Sequence, residues 1–550
     1  MTKDNELFGH PKGLFVLFFT EMWERFSYYG MRAILVLYII SETTGDNPGL
    51  GWTTGEALAL YGWYTMMVYV MSIPGGIIAD RFLGQKKTVF LGGILLCIGH
   101  GILAIEHMWA FYTGLTLIVL GVGGLKPNIS TMVGGLYASN DVRRDKGFTI
   151  FYIGINLGAF LSSIIVVYLG ETIGWHYGFG IAGIGMLLGQ IVYILGQKHL
   201  IGVGDLIKSD STTGNRDTPL TKIEKDRIVV MLLSFIVIVV FWGAFEQAGG
   251  LMNIYTMEKI DRSFLGMEIP ASIFQSVNAF FIIVFGTTVA GFWASRQIKG
   301  KESSTLFKMA LGTIIMGFGF LLMTFAAIEV ESADSGKAAM YWLIGAYLLH
   351  TIGELFASPN ALSFVTKLAP AKYASIMMGL YFAATGFGSK LAGTIGEMSQ
   401  IEPVKVEYIA FEKEVSNYVT DTTFTNKLAF ELHTTVKVTN SKIELQFIND
   451  DRDVSSLFNI SDESVSKIKE SMVSMEDVSD FHSTIKLSFD SESDKISGEL
   501  IVDEVQNRRE FMTFTGIFIF TLAFGLLLLV FLKKLKALTH GAEDIEADIV

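Results

Sequence analysis

Twelve runs of mainly apolar residues recur along the chain, near 13–40, 57–79, 88–105, 109–136, 148–169, 178–197, 228–249, 271–295, 306–328, 339–364, 374–397 and 511–532. Each reaches the length of about 18 residues or more that a helix needs to cross a bilayer. Inside a membrane only a helix or a closed barrel satisfies every backbone N–H and C=O, and runs of this length are helical. The expected class is therefore an all-α membrane protein of about twelve transmembrane helices. Composition agrees, with 51% hydrophobic residues, 17% charged residues, mean hydropathy +0.45 and 57 glycines that let helices approach closely. The lone Cys97 lies in an apolar run, so disulfides contribute nothing.

Lysine and arginine in the short connections set the orientation. Arg81-Lys86-Lys87, Arg143-Arg144-Lys146, Lys198 to Arg227, Arg296-Lys299-Lys301, Lys367-Lys372 and Lys533-Lys534-Lys536 are basic, whereas the alternate loops carry few cations. The positive-inside rule then places both termini in the cytoplasm. The first apolar run lacks the basic leader and small-residue cleavage site of a removable signal peptide, so it reads as a retained helix.

Two segments break the rhythm. Residues 198–227, with Ser209-Asp210-Ser211-Thr212-Thr213-Gly214-Asn215, read as a flexible cytoplasmic linker between two six-helix halves. Residues 402–509 are polar, and topology places them outside the cytoplasm. Ala429 to His433 with Val436 to Val438, Ile443 to Phe447, and Thr484 to Phe489 alternate apolar with polar residues, the period of strands. This insertion reads as a β-rich domain with a helical piece near Ser464–Val473. Its stretch 402–510 holds 23 acidic and 12 basic residues, a net of about −11 against −12 for the whole chain, so the membrane part is nearly neutral. The acidity favours solubility and argues against nucleic-acid binding. The partition is thus 1–197 for an N-terminal bundle, 198–227 for the linker, 228–401 for helices 7 to 11, 402–509 for the extracytoplasmic insertion, and 510–550 for the last helix and a cytoplasmic tail.

The first apolar run is unusual in carrying Glu21, Glu24, Arg25 and Arg32. At about 100° per residue these four, with Tyr28 and Tyr29, fall within an arc of roughly 140°. Ionisable groups at membrane depth mark substrate or ion pathways, and the alternative is a buried ion-pair cluster that locks helices together.

The pattern Glu-x-x-Glu-Arg-Phe-x-Tyr-Tyr-Gly beginning at Glu21 resembles the signature of the proton-dependent oligopeptide transporters, a branch of the major facilitator superfamily. Further matches are Gly75 to Gly84, Leu125-Lys126-Pro127-Asn128, Phe151 to Gly158, Phe245-Glu246-Gln247-Ala248-Gly249, Gln275-Ser276-Val277-Asn278 and Gly353 to Pro359. The resemblance covers everything except the insertion. It implies a major facilitator fold in two six-helix bundles, with the β-rich insertion between helices 11 and 12.

A zwitterionic peptide needs cations for its carboxylate, an anion and amide oxygens for its ammonium, and room for varied side chains. Arg25, Arg32 and Lys126 can cradle the carboxylate, and the resemblance points to the same positions. Glu354, with Asn156 and Asn278 as amide partners, is the expected ammonium site. Tyr28, Tyr29, Tyr69 and Tyr152 would supply hydroxyls and aromatic walls. Tyr381 stands where the family usually has tryptophan. Lys390, Asn360 and Ala279 also depart from its pattern. His350 precedes Glu354 by one helical turn on the same face, so a titrating His–Glu pair is the alternative to the favoured reading, in which both it and His100 are structural histidines.

Proton coupling requires a carboxylate whose ionisation is linked to helix movement. Glu246 would alternate between pairing with Arg32 across the halves and release on protonation, a mechanism similar to that proposed for the family. Glu21 and Glu24 beside Arg25 would form a second coupling cluster. Asp80 and Arg81 match the cytoplasmic gating motif of the superfamily, where a salt bridge braces one access state. The expectation is a proton-coupled symporter importing di- and tripeptides. It has no cofactor beyond the coupling proton, no metal site and no enzymatic constellation. Its partners are small peptides and the lipid bilayer, with no nucleic acid, in a bacterial inner membrane. The alternatives are a proton-coupled carrier of nitrate or another small anion, and a membrane-anchored scaffold acting through an extracytoplasmic partner of 402–509.

Overall fold

The computed structural model describes residues 6–137, 141, 143–206, 220–333, 335–370, 374–401, 404–408, 429–438, 443–447, 450–453, 455, 458–472, 480–490 and 495–542. The central part of the expected linker, 207–219, and the stretch 409–428 of the insertion lie outside these residues.

The first half contains α1 Lys12–Ile40, α2 Thr54–Leu83, α3 Gln85–Leu103, α4 Met108–Gly135, α5 Arg144–Thr172 and α6 Trp175–Gly196. The second contains α7 Lys222–Lys259, α8 Ala271–Ile298, α9 Thr305–Ser332, α10 Met340–Leu368, α11 Ala374–Ser399 and α12 Asp503–Ala537. Nine helices among the described residues are long and apolar enough to cross a membrane. Every 18-residue stretch of α1 carries at least three charges drawn from Lys12, Glu21, Glu24, Arg25 and Arg32, which sets it apart from those nine. Burial compensates for this polarity, because nearly the whole of α1 is enclosed by α2, α5 and α6.

The two halves have largely separate apolar cores. One gathers Leu14, Met31, Leu96, Ile118, Phe179 and their neighbours from α1 to α6, joined by Ile254 of α7 and Ala271 of α8; the others gather Phe241, Phe320, Phe364, Phe514 and their neighbours from α7 to α12. A division into two bundles follows from this packing. Within the first bundle a Cβ added to Gly92 of α3 would stand 2.7 Å from the Gly121 carbonyl oxygen of α4. Backbones that close require small residues.

Local sequence explains several boundaries. Capping boxes at Thr53–Glu56 and Thr221–Glu224 start α2 and α7, so α7 begins before its apolar run. The α7 helix loosens into a 3-10 turn at Glu246–Gly249 and resumes at Leu251, with Gly249 and Gly250 permitting the break. Across the halves α2 packs on α11. A Cβ on Gly393 would come 2.6 Å from the Cα of Gly62, so these two backbones touch without intervening side chains.

Between α11 and α12 the described residues include seven strands: β1 Val404–Tyr408, β2 Ala429–Val438, β3 Ile443–Phe447, β4 Asp450–Asp453, β5 Phe458–Asn459, β6 Asp480–Asp490 and β7 Lys495–Val502. They make one antiparallel sheet in the order β4-β3-β2-β6-β7-β1-β5. A short helix, Asp462–Met472, accompanies the sheet, and Val406, Leu432, Val436, Ile468, Ile485 and Leu500 form its core. Both ends of the insertion are tied together. The Ile401 N–H donates to Gln506 Oε1 at 3.1 Å, and Arg509 Nη1 donates to the Gln400 carbonyl at 2.9 Å. The polar first turns of α12 project beyond its apolar run and hold the sheet, with Glu504 Oε1 2.7 Å from His482 Nδ1.

Candidate functional site

The charged face of α1 is intact and buried. Arg25 Nε lies 3.0 Å from Glu21 Oε1 and 2.5 Å from Glu24 Oε2, with all three side chains almost fully enclosed. The Arg25 guanidinium also stands 5.6 and 5.7 Å from the ring centres of Tyr28 and Tyr29. Two carboxylates and two rings thus share one cation, an arrangement that lowers the cost of burying it.

Two turns along the same face, Arg32 Nη1 donates to Glu246 Oε2 at 2.8 Å. This buried ion pair crosses from α1 to the loosened turn of α7, joining the two halves. The Tyr61 hydroxyl of α2 donates to the same oxygen at 3.4 Å, and Tyr29 stacks against Arg32 at 5.0 Å. On α4, Lys126 places its Nζ 3.8 Å from the Tyr69 ring centre and makes no ion pair among the described residues. Its ammonium is thus held by an aromatic face and left open to an anion.

A second polar lobe belongs to the other half. Asn278 of α8 donates through Nδ2 to Glu354 Oε2 at 2.9 Å and to Thr351 Oγ1 at 3.0 Å, both on α10. Asn156 of α5 turns its Nδ2 to its own helix, donating to the Tyr152 carbonyl at 2.9 Å, while the Tyr152 side chain is exposed. Tyr381 is buried beside Phe382.

The expected residues therefore gather into three groups: Glu21, Glu24 and Arg25; Arg32 and Glu246; Asn278 and Glu354. Asn156 is not hydrogen-bonded to the last group. Asp80 and Arg81 are both exposed in the π turn that ends α2, and neither has an ion pair among the described residues. His350 does not meet Glu354. Its ring packs 4.7 Å from Phe320, and both its nitrogens, like those of His100, are buried without a hydrogen-bond partner. The unusual Asn360 accepts from Lys308 Nζ at 3.1 Å, and Lys390 Nζ lies 4.9 Å from the Trp63 ring centre.

Sequence reasoning missed the contacts that close the halves at the end nearest the sheet. The Asn253 Nδ2 of α7 donates to the Ala33 carbonyl at 3.0 Å, one residue beyond Arg32. The Glu171 carboxylate of α5 accepts from the Ala271 and Ser272 N–H groups at 2.8 and 2.9 Å, capping α8. Thr351 was missed too, although its place three residues before Glu354 sets both on one face of α10.

A sequence model of the POT family matches residues 86–210 and 206–410, leaving most of the sheet and α12 outside the match. The chain is 38% identical over 448 residues to the uncharacterized transporter YclF of Bacillus subtilis, covering 72% of this chain and 90% of that protein. It is 34% identical over 441 residues to a di-/tripeptide transporter of Lactococcus lactis subsp. lactis, covering 69% of this chain and 88% of the relative. Among solved structures, a peptide transporter POT in complex with alafosfalin superposes with a TM-score of 0.66 at 34% identity, covering 72% of this chain and 90% of that one. Sequence, fold and the charged first helix agree: this multi-pass membrane protein belongs to the POT family.

Proposed function

We propose that the chain is a proton-coupled symporter that imports di- and tripeptides by alternating access. The observation that carries this reading is the buried Arg32–Glu246 pair, which joins a half that carries the cationic groups to a half that carries Glu354 and Asn278. Arg25, Arg32 and Lys126 receive the peptide carboxylate, Glu354 with Asn156 and Asn278 receives the ammonium, and Tyr28, Tyr29, Tyr69, Tyr152 and Tyr381 form the walls. Such a site favours a substrate with both charges over nitrate, which offers nothing to Glu354.

Protons move on carboxylates. With Glu246 ionised, its pair with Arg32 helps hold the halves together at the sheet end. Protonation removes the charge and frees Arg32 for the peptide carboxylate, so proton and substrate together release that end. Glu21 and Glu24 form the second coupling cluster through Arg25. Asp80 and Arg81 act at the other end, where a brace forms when the access state changes. In this reading the distribution of cations supports cytoplasmic termini, with the acidic sheet on the outer face of a bacterial inner membrane. In this arrangement the closed end faces outward.

Uptake of dialanine into proteoliposomes acidified outside tests substrate class and coupling together. Uptake that rises with the imposed pH gradient is expected. Binding and uptake of nitrate without any of dialanine would overturn the reading.

A further inference from the structure

The ammonium lobe contains a hydroxyl with no assigned part. Thr351, fully enclosed on α10, donates its Oγ1–H to the Tyr347 carbonyl at 2.7 Å. Its only hydroxyl proton is committed there, so toward Asn278 the oxygen can act only as an acceptor. The Asn278 amide has two N–H bonds, and both are used: one donates to Thr351 Oγ1 at 3.0 Å and the other to Glu354 Oε2 at 2.9 Å.

With Glu354 ionised, this chain of donors has one allowed direction. If the amide were flipped, Asn278 Oδ1 would face the Glu354 carboxylate and a hydroxyl oxygen whose proton points elsewhere, three acceptors with no hydrogen between them. The orientation shown instead turns Oδ1 away from both. Neither Asn278 Oδ1 nor Glu354 Oε1 has a donor among the described residues, and neither is sealed from solvent. Two acceptors, one neutral and one anionic, are thus left without a donor on residues that are themselves hydrogen-bonded to each other.

We infer that Thr351 is a positioning residue for substrate specificity: through the Tyr347 carbonyl it fixes the Asn278 amide so that Oδ1 and Glu354 Oε1 jointly receive a protonated amine. This deepens the proposed function and rests on it. A primary ammonium supplies N–H donors to both oxygens and neutralises the carboxylate. An acylated nitrogen brings one N–H and no charge, so it leaves the pair underused.

The test compares Thr351→Val, which keeps the shape and removes the hydroxyl, with Thr351→Ser, which keeps the hydroxyl, using binding of dialanine and N-acetyl-dialanine to the purified full chain. Loss of one hydrogen bond of fixed orientation corresponds to about a five- to tenfold weaker dialanine affinity. Expected results are that loss in the valine protein, a change below about twofold in the serine protein, and little change for N-acetyl-dialanine in either. In an Asn278→Ala background, Thr351→Val should add nothing further, because the amide it orients is gone. If the valine protein does not fold, Thr351→Ala replaces it with the same expectations.

Equal losses for valine and serine, equal losses for both ligands, or an undiminished valine effect without the Asn278 amide would each reduce Thr351 to a packing residue and overturn the inference. An unaltered dialanine affinity in the valine protein would do the same while leaving peptide transport intact. Failure of the unaltered protein to bind dialanine at all would instead remove the proposed function, and the inference with it.

Discussion

Glu246→Gln isolates the proposed coupling step because glutamine has the shape of a protonated glutamate and cannot ionise. In the structure Arg32 Nη1 and Glu246 Oε2 are 2.8 Å apart, with side-chain exposures of 9% and 2%, so solvent screens the pair poorly. Breaking a buried pair by removing one charge costs about 3–5 kcal/mol, since the partner is left uncompensated. The glutamine oxygen still accepts a hydrogen bond from Arg32, which returns about 1 kcal/mol. The state closed at the sheet end is therefore destabilised by roughly 2–4 kcal/mol, equivalent to roughly a 30- to 700-fold shift toward opening. In the proposed mechanism, protonation of Glu246 has the same effect reversibly in the unaltered protein. The variant should lose accumulation of peptide driven by a pH gradient while exchange of internal for external peptide, which needs no net proton movement, survives. Proteoliposome uptake measured in both modes reads the difference. Full gradient-driven accumulation in Glu246→Gln would remove this residue from the mechanism.

Other consequences can be measured separately. Glu171→Ala leaves the Ala271 and Ser272 N–H groups without their charged acceptor, and bonds of that kind contribute about 1.5–3 kcal/mol, so spin-label distances between the sheet ends of α5 and α8 should lengthen. An unchanged distance distribution would show that Glu171 does not latch the halves. Because Ile401 and Gln506 are already hydrogen-bonded, replacing 404–502 with a short Gly/Ser linker should leave a folded protein that still takes up dialanine. Loss of uptake in a well-folded deletion would mean that the sheet feeds or gates the pathway. In the α4–α5 loop, side-chain hydrogen bonds from Arg143 hold the Asp141 carboxyl below its usual range. A depressed value stabilises the folded loop above the ordinary aspartate range and loses that effect only as pH falls through the lowered value. The Arg143 amide, which donates to Asp141 Oδ1, should accordingly stay protected from hydrogen exchange at pH 4 after correction for intrinsic rates, and free exchange there would contradict the assignment.

The parts of the site that could be read in advance were those with charge. A glutamate or arginine at membrane depth has few tolerable partners, so Arg25 with Glu21 and Glu24, and Arg32 with Glu246, were constrained before any coordinates existed. Thr351 and Asn253 carry no such mark, since a threonine in a helix usually bonds back to its own carbonyls, as Thr65 and Thr313 do here. Glu171 was hidden for a different reason: its partners are backbone N–H groups, which every residue except proline possesses. The i,i+4 spacing of His350 and Glu354 suggested proximity, yet the imidazole turns toward Phe320 and meets no carboxylate. In the insertion, β2, β3 and β6 announced themselves by alternation. The edge strand β4, Asp450–Asp453, did not, because its sequence Asp-Asp-Arg-Asp has no apolar residue to alternate.

The bare contact between Gly62 and Gly393 bears on how the molecule moves. Interlocked side chains act like gear teeth, and sliding one helix past another then requires many rotamers to change at once. Two glycine backbones in direct touch form a smooth bearing instead, with no rotamer to change at that point of the α2–α11 seam, although Leu58, Met66 and Tyr69 still lie against α11 at Gly396 and Gly386. The same smoothness limits substitution, because a single methyl group at residue 393 would push against backbone rather than a yielding side chain. Mutational drift at this pair is therefore confined by mechanics, independently of the chemistry of whatever passes through the cavity.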